Sequence, residues 1–449
     1  MRNPVPGGAL SDSPIEHAAD GVAAAGGSVP ALITLGSWGS ATLLSASGWQ
    51  WSKASVAPAW NNSGYSTGWV LMSATQWLNV MRKQTDNSVQ YGVLTLDAAG
   101  DIDTENACAA LSDFTTNGAP VLVRKVPGSS TRVVIASGKT TSTVQYQWRE
   151  YDLSGSTLTG QNSLQTQDTA GGGAGDFRGF FMELFGSDYG LIGGFPDSGS
   201  MGAYPFKFSA TQSVGSLVDT GTISVSSQDQ GGALSWKSQL TSNVAYCSSG
   251  ELTKWVLTEA GPPTMTETSQ TGVDNLGSWC YGLGASMAHR GLIVQPPTEA
   301  TDGNVVWITR LGLGYWAGEG NEIKMAGHTS NHGVNLGGFG EKLINAFSRH
   351  NLDFVQVDTS GDWVRGVLIL CHTAAGTTGL TAIPLNVNPK DARFVPGTPS
   401  QTTNITPASN NPINFGAAYH ADWTTSQIQI AIEDGASAPS VIALAITVT

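Results

Sequence analysis

One strand-and-turn pattern recurs along this chain, and it constrains the fold more than any other feature. Val89-Gln90-Tyr91 leads into Leu96-Asp97 and then Gly100; 55 residues later Val144-Gln145-Tyr146 leads into Tyr151-Asp152 and then Gly155. A weaker echo is Phe354-Val355-Gln356-Val357-Asp358 with Gly361. Each is an apolar strand followed by Asp, two residues and Gly. An Asp side chain accepts backbone N–H groups in a turn, and Gly takes a positive φ there without penalty. The pattern therefore predicts a strand-turn-strand unit used repeatedly.

Strong strands recur in step with it, at Val89–Asp97, Val144–Leu153, Tyr204–Ala210, Leu252–Ala260, Asn304–Leu311, Asp362–Cys371 and Ser426–Asp434. Their starts are spaced by roughly 50 to 65 residues, and shorter strands lie between them, a period that fits four-stranded propeller blades. A lone sheet of this kind cannot bury both faces; radially stacked blades bury one another's faces and leave short edges. The expected fold is all-β: a single β-propeller over residues 31–449, with seven blades fitting the count best and six or eight as neighbouring solutions. Tandem β-sandwiches are the alternative. The β-rich stretch Ile33–Ser47 can complete the last blade by pairing with Ser440–Thr449. No stretch holds a helical period over about 12 residues; the best helical candidate, Asp101 to Ser112, is short and polar. Residues 1–30 differ from the rest. They carry Pro4, Pro6, Pro14 and an Ala/Gly tract from Ala18 to Gly27, and they read as an extended N-terminal arm or a disordered leader.

Charged residues are only 12% of the 449, which excludes a coiled coil or a charge-rich disordered chain, and 56 glycines suit a protein with many turns. The balance of 21 basic against 34 acidic residues gives a net charge of −13. Gripping nucleic acid requires Lys and Arg at the phosphates. The adjacent basic pairs, Arg82-Lys83 and Arg124-Lys125, read as exposed strand ends, so no direct nucleic-acid grip is expected. Cys108, Cys247, Cys280 and Cys371 lie far apart with no CxxC. They read as isolated thiols, and a Cys247–Cys280 bridge is not deducible from spacing. No signal peptide and no apolar run of about 18 residues is present, so neither export by that route nor membrane insertion is expected.

Four aromatic residues stand out. Trp49, Trp51, Trp60 and Tyr65 fall in a Ser-, Asn- and Gly-rich stretch between strands. Exposed Trp and Tyr faces beside amides suit stacking on sugar C–H bonds; packing in a core or interface is the plainer account. His328 and His332 are four apart, but Gly, Thr, Ser and Asn around them make a turn, and no Glu follows the first His as in zinc proteases. No metal and no cofactor is expected. Gly171-Gly172-Gly173 reads as a linker. A hydrolase would need carboxylates converging from several blades, for instance Asp97, Asp152, Asp358 and Asp362; a turn role accounts for the first three.

The repeated Val-Gln-Tyr and Asp-x-x-Gly units, the arm, the low charge and the missing signal together resemble tailed-bacteriophage virion proteins, whose propeller domains serve in tail nozzles, fibres and appendages. The likeness is one of style over most of the chain and transfers no individual residue. It implies a non-enzymatic structural protein of the phage tail or a host-contact appendage, made in the host cytoplasm and residing in the virion. Its partners would be other virion proteins and a host-surface glycan or receptor, with several copies in the assembly. A soluble carbohydrate-binding lectin is the alternative, and a propeller glycoside hydrolase the third reading.

Overall fold

Alternating apolar residues bounded by Gly, Asn, Asp and Ser build antiparallel ladders throughout. The computed structural model describes residues 28–44, 68–82, 88–105, 109–114, 121–140, 144–168, 177–185, 188–196, 202–207, 244–248, 252–258, 264–269, 292–294, 305–309, 312–317, 322–326, 352–374, 377–388, 393–405, 415–434 and 440–449. Two short strands come first, β1 (Leu35–Trp38) and β2 (Thr42–Leu44). Sheet I holds β3 (Gly68–Ser73), β4 (Gln76–Arg82), β5 (Val89–Leu96), β6 (Ile102–Glu105) and β7 (Ala109–Leu111). Sheet II holds β8 (Val121–Lys125), β9 (Arg132–Thr140), β10 (Val144–Ser154), β11 (Thr157–Gly160) and β12 (Gln165–Asp168). Sheet III holds β13 (Phe177–Phe185), β14 (Tyr189–Pro196) and β15 (Gly202–Lys207), and sheet IV holds β16 (Val244–Ser248), β17 (Leu252–Thr258) and β18 (Thr264–Ser269). Sheet V holds β19 (Leu292–Val294), β20 (Val305–Thr309), β21 (Gly312–Ala317) and β22 (Glu322–Ala326). Sheet VI holds β23 (Leu352–Ser360), β24 (Trp363–Ala374), β25 (Thr377–Asn388), β26 (Arg393–Pro396) and β27 (Ser400–Ile405). Sheet VII holds β28 (Phe415–Ala418), β29 (Gln427–Asp434) and β30 (Ser440–Val448), joined by β1 and β2. The described residues contain no helix; the Asp101 to Ser112 stretch forms β6 and β7 instead.

Sheets I, II, VI and VII share one plan: three strands in a meander, with the edge of the third strand covered by two short strands. β6 and β7 line β5, β11 and β12 line β10, and β26 and β27 line β25. In each case the first of the two meets the C-terminal half of the third strand and the second meets its N-terminal half. In sheet VII the third strand is β30, and its two covering strands come from the opposite end of the chain. β1 sets Leu35 opposite Val448, and β2 sets Thr42 opposite Ala443.

Strand alternation then divides the side chains between neighbouring sheets. In β9, Val133 and Ile135 enter the seam with sheet I, while Val134 and Ala136 enter the seam with sheet III. In β29, Ile428, Ile430 and Ile432 face sheet VI and Ala431 faces sheet I. Sheets VII, I and II are therefore each buried on both faces by different neighbours. Each fully buried Val, Leu or Ile contributes roughly 1.5–3 kcal/mol. First strands sit side by side: β23 against β28, β28 against β3, β3 against β8, and β8 against β13. A Cβ on Gly68 would stand 2.5 Å from Val123 Cγ1, and one on Gly416 would stand 2.4 Å from Trp69 Cβ, so these two strand pairs approach closely. The arrangement is propeller-like, with serial face-to-face sheets. A β-sandwich would bury only one face of each.

The turn chemistry of the repeated motif differs from one copy to the next. Asp97 Oδ1 accepts from the Ala99 and Asp101 N–H groups at 2.8 and 3.0 Å, so it caps its turn. Asp152 lies within the ladder opposite Thr159. Asp358 is also in a strand, and its carboxylate pairs with Arg365 at 2.8 Å. The third copy occupies another place in its sheet: Gly361 joins the first strand to the second, whereas Gly100 and Gly155 follow the third strand. All three glycines have positive φ, at 89°, 58° and 59° in chain order.

The Gly100 turn is clasped by sheet VII. Trp423 Nε1 donates to Ala74 O at 2.7 Å, Thr424 N donates to Ala98 O at 2.8 Å, and Gln427 Nε2 reaches Ala99 O and Asp101 Oδ1, both at 2.9 Å. An added Cβ at Gly100 would lie 2.3 Å from Trp423 Cδ2, whereas one at Gly155 meets nothing within 4 Å. Gly100→Ala should lower unfolding free energy by about 2–4 kcal/mol, combining left-handed strain with overpacking, and Gly155→Ala by about 1–2 kcal/mol from strain alone. Urea titration of the two variants checks the difference; equal losses would contradict the clasp.

Candidate functional site

The aromatic residues singled out from the sequence, Trp49, Trp51, Trp60 and Tyr65, lie outside the described residues, as do His328, His332 and Gly171 to Gly173. The described chain stops at Leu44, opposite Val441, and resumes at Gly68, opposite Val80. Both anchors are at the end of their sheets away from the Gly100, Gly155 and Gly361 turns. Among the thiols, Cys247 falls in β16 and Cys371 in β24, while Cys108 and Cys280 are outside the described residues.

The four candidate carboxylates are used separately. Asp97 caps a turn, Asp358 holds Arg365, Asp152 sits in a ladder, and Asp362 occupies the β23–β24 turn. Among the described residues no group of three or more His, Cys, Asp and Glu side chains could hold a metal ion, and no helix is long and apolar enough to cross a membrane. Lys125 departs from its expected exposed position. It is half-buried, its Nζ donates to Met72 O at 2.6 Å, and burial lowers its pKa.

The feature with functional character is the root of the N-terminal segment, in the seam between sheets VI and VII. Asn386 Nδ2, fully buried, donates to Pro30 O at 2.8 Å, and Arg365 Nε donates to Ala31 O at 2.9 Å. Arg365 and Asn386 are direct partners across β24 and β25, near the β23–β24 turn. Ile33, 4% exposed, inserts among Val355, Ile369 and Ile430. Thr34 and Thr449 exchange two backbone hydrogen bonds at 2.7 and 2.9 Å. Trp38 Nε1 then reaches Ser400 Oγ at 3.0 Å. Residues 28–38 thus stitch two sheets together, with Pro30 and Ala31 held at the turn end of that seam. The sequence marked this region as strand and arm; it held no signal for Arg365 and Asn386, which lie more than 300 residues away.

A second polar group ties sheet I to sheet II. Arg149 Nη1 and Tyr151 Oη both donate to Asp113 Oδ2, the latter at 3.0 Å, and the Arg149 guanidinium lies 5.3 Å from the Tyr151 ring centroid. Phe114 stacks on the same ring. Asp113 Oδ2 accepts from both donors, which locks the end of sheet I to sheet II. Burial, then the charge of Asp113 and its hydrogen bond, push the Tyr151 phenol well above its ordinary value. A raised phenol pKa means that Tyr151 contributes stability below pH of about 10 and loses it as pH climbs above that value. Denaturant midpoints between pH 8 and 11 should fall steeply at the alkaline end for the native chain and less steeply for Tyr151→Phe. Parallel curves would show that the phenol is not held neutral by its site.

No family model matches the chain, and no curated protein matches it in sequence. Solved structures align weakly. The BP39L lectin from Burkholderia pseudomallei aligns at 9% identity and a TM-score of 0.43, over 84% of this chain and 95% of the lectin. The core factor of S. cerevisiae aligns at 10% identity and a TM-score of 0.45, over 94% of this chain but 62% of that one. The GH93 alpha-L-arabinofuranosidase of Fusarium graminearum aligns at 9% identity and a TM-score of 0.37, over 85% of this chain and 92% of the enzyme. These likenesses assign no function to this chain.

Proposed function

We propose that this protein is a non-enzymatic structural component of a phage particle, in the tail or a host-contact appendage. Its residues 1–30 form the docking arm and a seven-bladed ring presents a face to a partner or receptor, in several copies per assembly. The observation that carries this reading is the stitched root at Pro30, Ala31 and Ile33. A tether is useful to an assembly only if its base transmits force to the body. Here the base is held by a buried amide, a guanidinium, a buried Ile and a backbone ladder. The one-per-sheet placement of the seven strong strands supports the blade count. The low charge, the turn-rich composition and the resemblance of the repeated units to phage propellers point the same way.

The soluble lectin is the second reading, with Trp49, Trp51, Trp60 and Tyr65 as its binding residues. What favours it is the length of the connection from Leu44 to Gly68, far longer than the turns at the other end. Under that reading Trp51→Ala weakens binding on a glycan array.

The root fixes where a diagnostic truncation must fall. Removing residues 1–27 keeps every contact of Pro30, Ala31 and Ile33, and leaves melting temperature and circular dichroism unchanged. The same truncation should abolish incorporation into sedimenting, DNA-containing particles. Full incorporation of the folded truncated chain would rule the docking arm out.

A further inference from the structure

The geometry points to a proton-sensitive switch at His420, in the turn that fastens sheet VII to sheet I. This turn joins β28 to β29. It closes on two hydrogen bonds: Trp423 N donates to His420 O, and Asp422 N donates to His420 Nδ1, both at 3.2 Å. The second bond uses a side chain as acceptor, in the way an Asx turn uses Asn or Asp. What the closed turn does is place Trp423. Its indole is buried, lies over Gly100 and donates from Nε1 to Ala74 O at 2.7 Å, while Thr424 N and Oγ1 both reach Ala98 O. The imidazole packs on that indole, with ring centroids 6.2 Å apart and planes tilted by 39°.

An imidazole nitrogen accepts an N–H only while it carries no proton. The bond from Asp422 N therefore requires the neutral ring with its hydrogen on Nε2. The ring is 32% exposed, so solvent protons reach it. Protonation puts a hydrogen on Nδ1 that points at the Asp422 N–H, and donor meets donor. The acceptor at hand is the Asp422 carboxylate, whose Oδ2 lies 3.7 Å away, beyond hydrogen-bond length. To reach it the ring must turn off the backbone N–H and shift against Trp423. The other ionisable groups of the two turns are Tyr419, beside His420, and Asp97 and Asp101 on the Gly100 turn. Asp97 Oδ1 is taken by the Ala99 and Asp101 N–H groups, and Asp101 Oδ1 by Gln427 Nε2. Residues 97–101 and 419–426 contain no Lys or Arg, so neither turn carries a cation that repels a charged ring. Acid thus exchanges a backbone hydrogen bond for an exposed ion pair, which contributes little. Its effect is on the conformation of the turn: the clasp on sheet I loosens as His420 gains its proton, between about pH 5 and 8, where histidine changes charge.

Hydrogen exchange of the intact chain, read by mass spectrometry over residues 419–427, tests this. The comparison is with His420→Asn, whose Oδ1 accepts the same N–H and takes no proton. At about pH 8 the native chain and the Asn variant should exchange alike, and at about pH 5 the native segment should exchange about threefold faster than the variant at that same pH. His420→Ala, with no acceptor, should be fast at both. Equal rates for the native chain and the Asn variant at both pH values overturn the switch. So does a slower native rate in acid, because the ion pair would then tighten the turn. Selective 15N-histidine spectra of the native chain add a check that needs no variant to fold as intended. His420 should be the Nε2–H tautomer when neutral, and finding the Nδ1–H tautomer overturns the inference.

Discussion

A small antiparallel sheet with apolar side chains on both faces cannot stand alone in water, and everything else in this fold follows from that. Each sheet must find a neighbour on either side, which forces a serial arrangement. The unpaired edge of each third strand must also be covered, because bare N–H and C=O groups at an edge invite pairing with other chains. Sheets I, II and VI cover theirs with strands that follow directly in sequence. In sheet VII the edge of β30 is covered by β1 and β2 from the other end of the described chain. The same step drives Ile33 into the seam with sheet VI, so one short segment caps an edge and fills a core at once.

The seams are not equivalent. Between sheets VI and VII the buried core is aliphatic, with Ile428, Ile430, Ile432, Ile442 and Ile446 meeting Val355, Val367 and Ile369, and the hydrogen bonds there run to the N-terminal segment at Pro30, Ala31 and Trp38. Such packing is strong but weakly directional, so it holds the sheets together more than it sets their register. Between sheets VII and I the logic changes. Gly416, Ala418 and Ala431 leave room on one side for Trp69 and Trp77 on the other, whose rings meet at 5.5 Å and 59°. Hydrogen bonds from Trp423, Thr424 and Gln427 then fix this seam at its turn end. Directional bonds and large-to-small complementarity define a relative placement that aliphatic burial alone leaves loose.

Much of this was legible in the sequence because it is local. Period-two alternation located the strands, and one strong strand falls in each of the seven sheets. The glycines at positions 100, 155 and 361 announced turns and take positive φ. The Val-Gln-Tyr triplet is also structurally equivalent in its two clear copies. Both lie on a third strand, and Tyr91 and Tyr146 each face the following sheet. Other features were not legible, for one shared reason. The Asp of the motif looks identical three times, but whether it caps, pairs with Arg or sits in a ladder depends on how many residues the turn absorbs. Lys125 read as an exposed strand end because its acceptors, the carbonyls of β3, are 53 and 54 residues away in sequence. The Asn386 and Arg365 contacts with Pro30 and Ala31 span still longer separations, and no periodicity reports such meetings.

The sequence stages a functional question around aromatic residues in a long connection, while the described structure shifts weight to Pro30–Ile33 in the seam between sheets VI and VII. Asn386 is fully buried; its Nδ2 donates to Pro30 O while its Oδ1 has no hydrogen-bond partner, so the amide is kept at this point at a desolvation cost. Here the amide donates to Pro30, a residue with no N–H of its own, so the contact holds the segment by its carbonyl and does not ask for a β-ladder at that point. The ladder begins three residues further on, with Thr34 and Thr449. A segment that crosses from sheet VI to sheet VII before it starts pairing ties the two sheets against being pulled apart along the seam. Residues 30–34 thereby join sheets VI and VII across a seam that strand pairing alone would leave unbridged.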